Sequence, residues 1–307
     1  MKISVVIVTY NPSKWIEKCV DSLINSTVSV KILIVDNNST DGFQEIVASK
    51  YSQVELIQSV VNLGFGAANN IGIKKAYDAD ADFVFLLNQD AWLQSDTIEK
   101  LIFAQQNEPE YGIVSPMHLN GKGDKLDFNF SNYIIPFQCK DLYSDIYLNK
   151  IKSSIYQANF VNAAGWLLSR KCIETVGGFN PSFFHYGEDD NYVERINFHQ
   201  FRVGVLATVK LFHDREERNN SVYFEDSILI YKRRITLIAS NPFKKFSFQS
   251  ENKKLYKFAV KAIFSFRFKL FTRIILQIKA LNNLDKKDII NRRIESTIPN
   301  PSFLKEL

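Results

Sequence analysis

Through the first third of the chain, apolar residues come in short unbroken runs, each stopped by a polar, turn-forming cluster. Residues 3–8 (ISVVIV), 31–35 (KILIV), 54–58 (VELIQ) and 83–87 (FVFLL) are short and rich in branched and aromatic side chains, so each predicts a strand, a buried one at 3–8 and 83–87. Residues 13–24 place Trp15, Ile16, Cys19, Val20 and Leu23 on one face at helical spacing. Strand, helix and strand with short connections predict a right-handed βαβ unit and a parallel sheet. Residues 95–106 predict another helix, carrying Ile98, Leu101 and Ile102. Residues 111–116 and 203–208 predict strands, and 191–198 a helix. From 118 to 156 the pattern loosens and predicts no element. A lid between two motif groups fits that stretch, and so does a solvent-facing hairpin.

The polar ends of these runs carry the candidate chemistry. The strand at 83–87 stops at Asn88, Gln89 and Asp90. In open α/β sheets ligands sit beyond the carboxyl ends of the strands. A carboxylate there suits Mg²⁺ or Mn²⁺, which takes oxygen ligands and typically only one or two protein carboxylates beside the substrate's own oxygens. Taken alone, the triplet equally fits an Asx turn or helix cap. Residues 62–72 (NLGFGAANNIG) give G-x-G at Gly64 and Gly66, but Asn69 stands where a dinucleotide fingerprint has its third glycine, so that reading fails. A loop approaching a phosphate or sugar hydroxyl fits, as does a plain glycine turn with a helix cap. Residues 177–190 (GGFNPSFFHYGEDD) end in Glu188, Asp189 and Asp190. Mutual repulsion and partial desolvation raise at least one pKa in such a run, which makes a useful base near neutral pH. A solvated helix N-terminus also attracts acids.

Composition changes this picture in two places. Cys19, Cys139 and Cys172 have no metal-ligand spacing and predict small buried thiols in a reducing compartment. The start, MKISVVIVTY, reads as a first strand rather than a signal peptide, and no apolar run is long enough for a spanning helix. The net charge of +5 is unevenly spread. Residues 231–293 hold 17 Lys or Arg against Glu251, Asp285 and Asp288, a balance of +14, so the remainder carries −9. In this basic tail Phe264, Phe268, Phe271, Ile275 and Ile278 recur at steps of four and three, with Lys261, Lys269, Arg273 and Lys279 to one side. A helix of this kind over 253–283 suits an anionic membrane surface. Packing on the body of the protein also fits. Nucleic acid is not expected, because the aromatics form a helix face and no nucleic-acid motif is present.

Four motifs in order, SVVIVTYN, IVDNNSTDG, NLGFGAANNIG and LLNQDAW, resemble the family 2 glycosyltransferases of GT-A fold, most of all their rhamnosyltransferase-type branch. Later motifs extend the likeness to around residue 215. The resemblance implies an α/β GT-A fold, a mostly parallel central sheet flanked by helices. The catalytic domain would span 1–222, with a nucleotide-sugar-binding half (1–117) and an acceptor half (118–222), and a helical basic extension would follow over 223–307. Thr9, Tyr10, Asn11, Asp36, Asn62, Gly64, Asn69, Asn88 and Gln89 would bind the nucleotide donor, with Asp36 on the base edge. Asn88 takes the place of the first aspartate of the D-x-D motif, and Asp90 with His213 would hold a divalent cation, Mn²⁺ or Mg²⁺. Asp189 would be the catalytic base, Glu188 an acceptor-hydroxyl ligand, Asp190 a support and Trp166 an acceptor contact. The implied activity is inverting transfer of a sugar, rhamnose from dTDP-rhamnose first, to a glycan or polyprenol-linked acceptor in cell-surface polysaccharide synthesis. The enzyme would be cytoplasmic and peripheral at the inner face of the plasma membrane. A UDP-sugar galactofuranosyl- or hexosyltransferase of the same fold, and a non-catalytic nucleotide-sugar-binding protein at the membrane surface, are the alternatives.

Overall fold

In the computed structural model, which describes residues 1–215 and 225–304, the predicted βαβ beginning is present. β1 (Ile3–Thr9), α1 (Ile16–Ile24), β2 (Lys31–Asp36), α2 (Phe43–Lys50), β3 (Glu55–Gln58), α3 (Phe65–Asp78) and β4 (Phe83–Asn88) follow one another. The four strands pair in parallel in the order β3-β2-β1-β4. β1, β2 and β4 read as nearly continuous apolar runs because both faces of the sheet are covered there, whereas the edge strand β3 is only half-buried. Val6, Leu33, Val84 and Leu86 enter the core on one side with Ile73 of α3. Val5, Ile7, Ile34, Phe85 and Leu87 enter the other with Val20 and Leu23 of α1. Each such side chain contributes about 1.5–3 kcal/mol on burial. In α3, Gly72 lies against Val6 so closely that a Cβ would collide with it.

The second half departs from a parallel sheet. β5 (Ala91–Leu93), α4 (Thr97–Asn107) and β6 (Tyr111–Asn120) lead to two short helices, α5 (Phe128–Ser131) and α6 (Leu142–Tyr147). Then come β7 (Tyr156–Ala158), β8 (Gly165–Ser169), α7 (Arg170–Val176), α8 (Glu188–Phe198) and β9 (Arg202–His213). β8 is antiparallel to both β4 and β6, whereas β6 and β9 are parallel. One mixed sheet of nine described strands results, with the uniformly parallel part confined to β3-β2-β1-β4. The unassigned stretch is no surface hairpin, since Phe130, Ile134, Cys139 and Leu142 are buried in the core with Trp166 and Phe179.

After residue 225 come α9 (Ser227–Ser240), α10 (Phe248–Phe264), α11 (Phe268–Asn282) and α12 (Lys286–Glu295). The boundary expected at 222/223 lies outside the described residues. The single helix expected over 253–283 is instead two helices. Phe266 takes the left-handed conformation (φ +54), and the Arg267 amide donates to the Ala262 carbonyl, a Schellman-type stop. The five-residue face drawn through Phe264 and Ile278 is therefore broken: Phe264 and Phe268 are exposed, while Ile278 is buried. α9, α10 and α11 share their own apolar cluster around Tyr231, Leu255 and Leu281. The segment after α12 returns to the sheet domain, where Leu304 joins the core beside Phe179 and Ser302 accepts from the Gly178 amide. No described helix is long and apolar enough to cross a membrane, and all three cysteines are buried and free.

Candidate active site

Beyond the carboxyl ends of β1, β2 and β4 three loops are tied together. Register sets Thr9 beside Asp36 and Val8 beside Asn88. Asp36 is buried and accepts from Thr9 Oγ1 (3.3 Å), the Ser39 amide (3.1 Å), the Ser39 hydroxyl and Gln44 Nε2 (3.0 Å). Those donors match the roughly four lone-pair sites of a carboxylate. Asn11, at φ +50, joins the same loop: its amide donates to Ser39 Oγ (2.8 Å) and its Oδ1 accepts from the Thr40 amide (2.9 Å). Gln89 grips Tyr10 both ways, accepting from its amide at 2.6 Å and donating to its carbonyl at 3.1 Å. The Tyr10 ring stays exposed.

The glycine loop meets the acidic motif. Asn62 Oδ1 accepts from the Gly64 amide (2.9 Å), and Asn37 holds both Leu63 and Gly64. Gly64 has φ +82, and a Cβ there would run into the Phe184 carbonyl. A Cβ on Gly66 would lie 3.0 Å from Phe179 Cβ and 3.5 Å from Glu188 Cβ. Asn69 is buried and donates to the Phe65 carbonyl within α3 (3.0 Å). Its neighbour Asn70, not singled out in the sequence, accepts from the Phe179 amide (2.6 Å) and donates to the Phe179 carbonyl (2.8 Å). The glycine loop and the acidic motif are thus one packed unit.

Antiparallel pairing of β5 with β9 sets Ala91 opposite His213 and brings Asp90 to the histidine. Both side chains are fully buried, with His213 Nε2 3.4 Å from Asp90 Oδ1 and 3.4 Å from Asn88 Nδ2. On its other side His213 Nδ1 is 3.4 Å from Asp127 Oδ2, and Asp127 receives Arg215 through two bonds of 2.7 and 2.6 Å. Burial lowers the His213 pKa, but Asp90 and Asp127 outweigh it and leave it raised. Burial likewise opposes ionisation of Asp127, yet His213 and Arg215 hold it well below the usual carboxylate range. Asn88 Oδ1 is buried with no hydrogen-bond partner. Among the described residues no three His, Cys, Asp or Glu side chains are arranged to hold a metal by themselves. A carboxylate, an imidazole and an unsatisfied amide oxygen nevertheless fit a divalent cation that takes its other ligands from a diphosphate.

The acid triplet opens α8. Gly187, at φ +95, precedes it, and Glu188 is only 4% exposed, with Oε2 lacking a partner. Desolvation first, then the Asp189 charge, raises Glu188; desolvation and Asp190 raise Asp189. Asp189 is half-buried, and Asp190 is exposed with the Arg233 charge acting on it. Burial first, and then the Asp189 charge, pushes the Tyr133 hydroxyl up to about 12. Trp166 does not line the acceptor side as expected. It is fully buried, 5.9 Å from Phe179 and 5.6 Å from Tyr192, and supports the floor beneath the triplet. Asp127, Tyr133 and Arg215 escaped the sequence reading because they lie in or beyond patternless stretches. A lone acid before an aromatic-rich segment was their one signal.

A parallel nucleotide-side sheet, a polar triplet at the end of β4 and an acidic helix start packed on a glycine loop define a glycosyltransferase of GT-A fold. Residues 4–177, more than half of the chain, match the model of glycosyl transferase family 2, and the chain belongs to that family. It is 27% identical over 212 residues to the N-acetylglucosaminyl-diphospho-decaprenol L-rhamnosyltransferase of Mycobacterium tuberculosis, covering 62% of this chain and 69% of that protein. It is 25% identical over 232 residues to the low-salt glycan biosynthesis hexosyltransferase Agl10 of Haloferax volcanii, covering 75% and 72%. Among solved structures, S. aureus TarS 1-349 in complex with UDP-GlcNAc superposes with a TM-score of 0.58 at 18% identity, covering 97% of this chain and 84% of that one. GalNAc-T7 with UDP, GalNAc and Mn²⁺ gives 0.58 at 14% identity, covering 78% and 51%. At these identities the structural likenesses establish the fold.

Proposed function

We propose that the chain is an inverting transferase that moves rhamnose from dTDP-rhamnose to a hydroxyl of a glycan or lipid-linked oligosaccharide at the cytoplasmic face of the plasma membrane. The observation that carries the transferase reading is the contact of Gly64 and Gly66 with Phe184, Phe179 and Glu188, which holds a donor pocket against a row of raised carboxylates. The rhamnosyl donor and the polyprenol-linked acceptor are suggested by the mycobacterial relative's name. Residues 1–222 form the catalytic unit in this reading, and 223–307 the basic extension.

Thr9, Tyr10 and Asn11 line the nucleotide pocket, whose base-side loop is built around Asp36. Asn62, Gly64 and Asn69 shape the glycine loop. Asn88 and Gln89 sit at the ribose and diphosphate, and Asp90 with His213 holds the cation. A bound Mn²⁺ or Mg²⁺ supplies charge neutralisation for the departing diphosphate. Asp189, with its raised pKa, takes the proton of the acceptor hydroxyl as that oxygen attacks the anomeric carbon from the face opposite the leaving group, which inverts the centre. Glu188 and Asp190 orient the acceptor.

Thermal unfolding with dTDP, UDP or GDP, each with and without Mn²⁺, tests the donor site. A nucleotide at 100 times its Kd adds about 2.7 kcal/mol of stability. A shift largest for dTDP with Mn²⁺, followed by release of dTDP from dTDP-rhamnose on addition of a polyprenol-linked acceptor, is the expected result. A preference for UDP moves the donor to a UDP-sugar, and no shift with any nucleotide overturns the reading.

A further inference from the structure

α10 and α11 pack side by side and are joined by three residues, 265–267. All residues from 263 to 270 are exposed. Phe264, Phe266 and Phe268 are 80%, 81% and 64% exposed, and the ring contact recorded at this turn is between Phe266 and Phe268 themselves, 6.4 Å apart. Three phenylalanines within five residues, open to solvent, form an apolar patch at the turn, outside the cluster that Ala262 and Phe271 join on either side of it. Lys261, Arg267 and Lys269 surround them, and from 252 to 284 there are eight Lys or Arg and no acid. Phe266 also occupies a left-handed position (φ +54), where glycine would cost the backbone least. An aromatic ring is thus held at the turn against local backbone preference.

We propose that this turn is an insertion loop for an anionic bilayer: the three phenylalanine rings enter the boundary between headgroups and acyl chains while Lys261, Arg267 and Lys269 lie on lipid phosphates. Binding of this type grows with the apolar area buried and with each cation brought to the surface. The charge pattern favours lipid over a second copy docking tip to tip, since two such tips would repel each other. The inference deepens the membrane placement proposed above by naming the element that makes contact. It differs from a helix lying flat on the surface, because the contact is the end of a helix pair and its rings come from a turn.

Co-sedimentation with vesicles of phosphatidylcholine alone and with added phosphatidylglycerol tests it, using the full chain at fixed salt. Wild-type protein should pellet with the anionic vesicles and largely stay free of the neutral ones. The triple variant Phe264→Ser, Phe266→Ser, Phe268→Ser should lose about tenfold or more in binding, and Lys261→Glu should lose roughly fivefold or more. Phe266→Gly should weaken vesicle binding while raising or preserving Tm, a combination that a purely structural role for the ring does not produce. Unchanged binding of the triple variant, equal binding to both vesicle types, or no vesicle binding overturns the proposal. So does a concentration-dependent dimer, or binding of single-stranded RNA, lost with the same substitutions in the absence of lipid binding. The dTDP-induced thermal shift is measured on the same samples. Because the turn is remote in sequence from the donor motifs, wild-type protein that shows the nucleotide shift but does not bind anionic vesicles sinks this inference alone, and wild-type protein that binds vesicles but shows no shift sinks the donor reading alone.

Discussion

His213 lies between two carboxylates, with Nε2 3.4 Å from Asp90 Oδ1 and Nδ1 3.4 Å from Asp127 Oδ2. A partner on one ring nitrogen fixes the orientation and tautomer in which the other faces a ligand. Asp127→Asn is therefore expected to weaken Mn²⁺ binding in the presence of a nucleoside diphosphate by about 10- to 100-fold. The free Mn²⁺ signal in electron paramagnetic resonance reads this directly. Nucleotide affinity without metal should not move, and an unchanged Mn²⁺ affinity would remove Asp127 from the site.

Asp189→Asn should lower kcat by about 10² or more, because proton removal in the transition state is worth that much. Nucleotide-induced thermal shifts should stay as in the wild type. The raised pKa of Asp189 also places the acid limb of the kcat/KM profile above the ordinary aspartate range. A variant with near-normal turnover would deny Asp189 the role of base.

Glu188 carries a stability cost that pH should reveal. Its folded pKa lies above its unfolded one, chiefly through desolvation. The folded protein therefore holds a proton there that the unfolded chain has released, and stability falls as pH rises from the unfolded value through the folded one. Glu188→Gln should raise Tm at pH 8, by about 2–4 °C for each kcal/mol recovered, and the gain should vanish near pH 4. A gain of equal size at both pH values would mean that the charge is not its source.

Gly64→Ala combines a left-handed φ with a collision against the Phe184 carbonyl. About 1–3 kcal/mol of stability should be lost, together with dTDP-dependent stabilisation, because the contact between the two motifs must open. Urea unfolding measures the first and thermal shift the second. Gly42→Ala, at φ +78 and ψ +12 with 3.6 Å of space to Glu45, lies in the milder left-handed helical region and should cost less than Gly64→Ala, whose ψ of 173 belongs to a conformation that essentially only glycine adopts.

β1, β2 and β4 were legible because a strand covered on both faces must be almost wholly apolar, and each run ended at a polar cluster. Thr9, Asp36, Asn88 and Asp90 stand at or just beyond the carboxyl ends of β1, β2 and β4, where the runs stop in the sequence. Asp127 could not be located this way, since its link to Arg215 spans 88 positions and no local period reports such a contact. Trp166 was misplaced because a tryptophan near the acidic motif reads the same whether it lines a pocket or supports one. The helix expected over 253–283 failed at Phe266, where the chain turns without the glycine or proline that normally marks such a stop.

Asn70 holds Phe179 on one side and donates to the Phe303 carbonyl, 233 positions later, on the other. Gly177 lies against Ser302 and Leu304 completes the core around Phe179, so the turn leading to the acidic triplet is finished by residues from the far end of the described chain. Chains fold largely from the N-terminus as they are made, and contacts of such separation form late. The sheet of β1 to β4 can assemble early while the turn before α8 waits for its last support, so maturation of the two parts is separated in time.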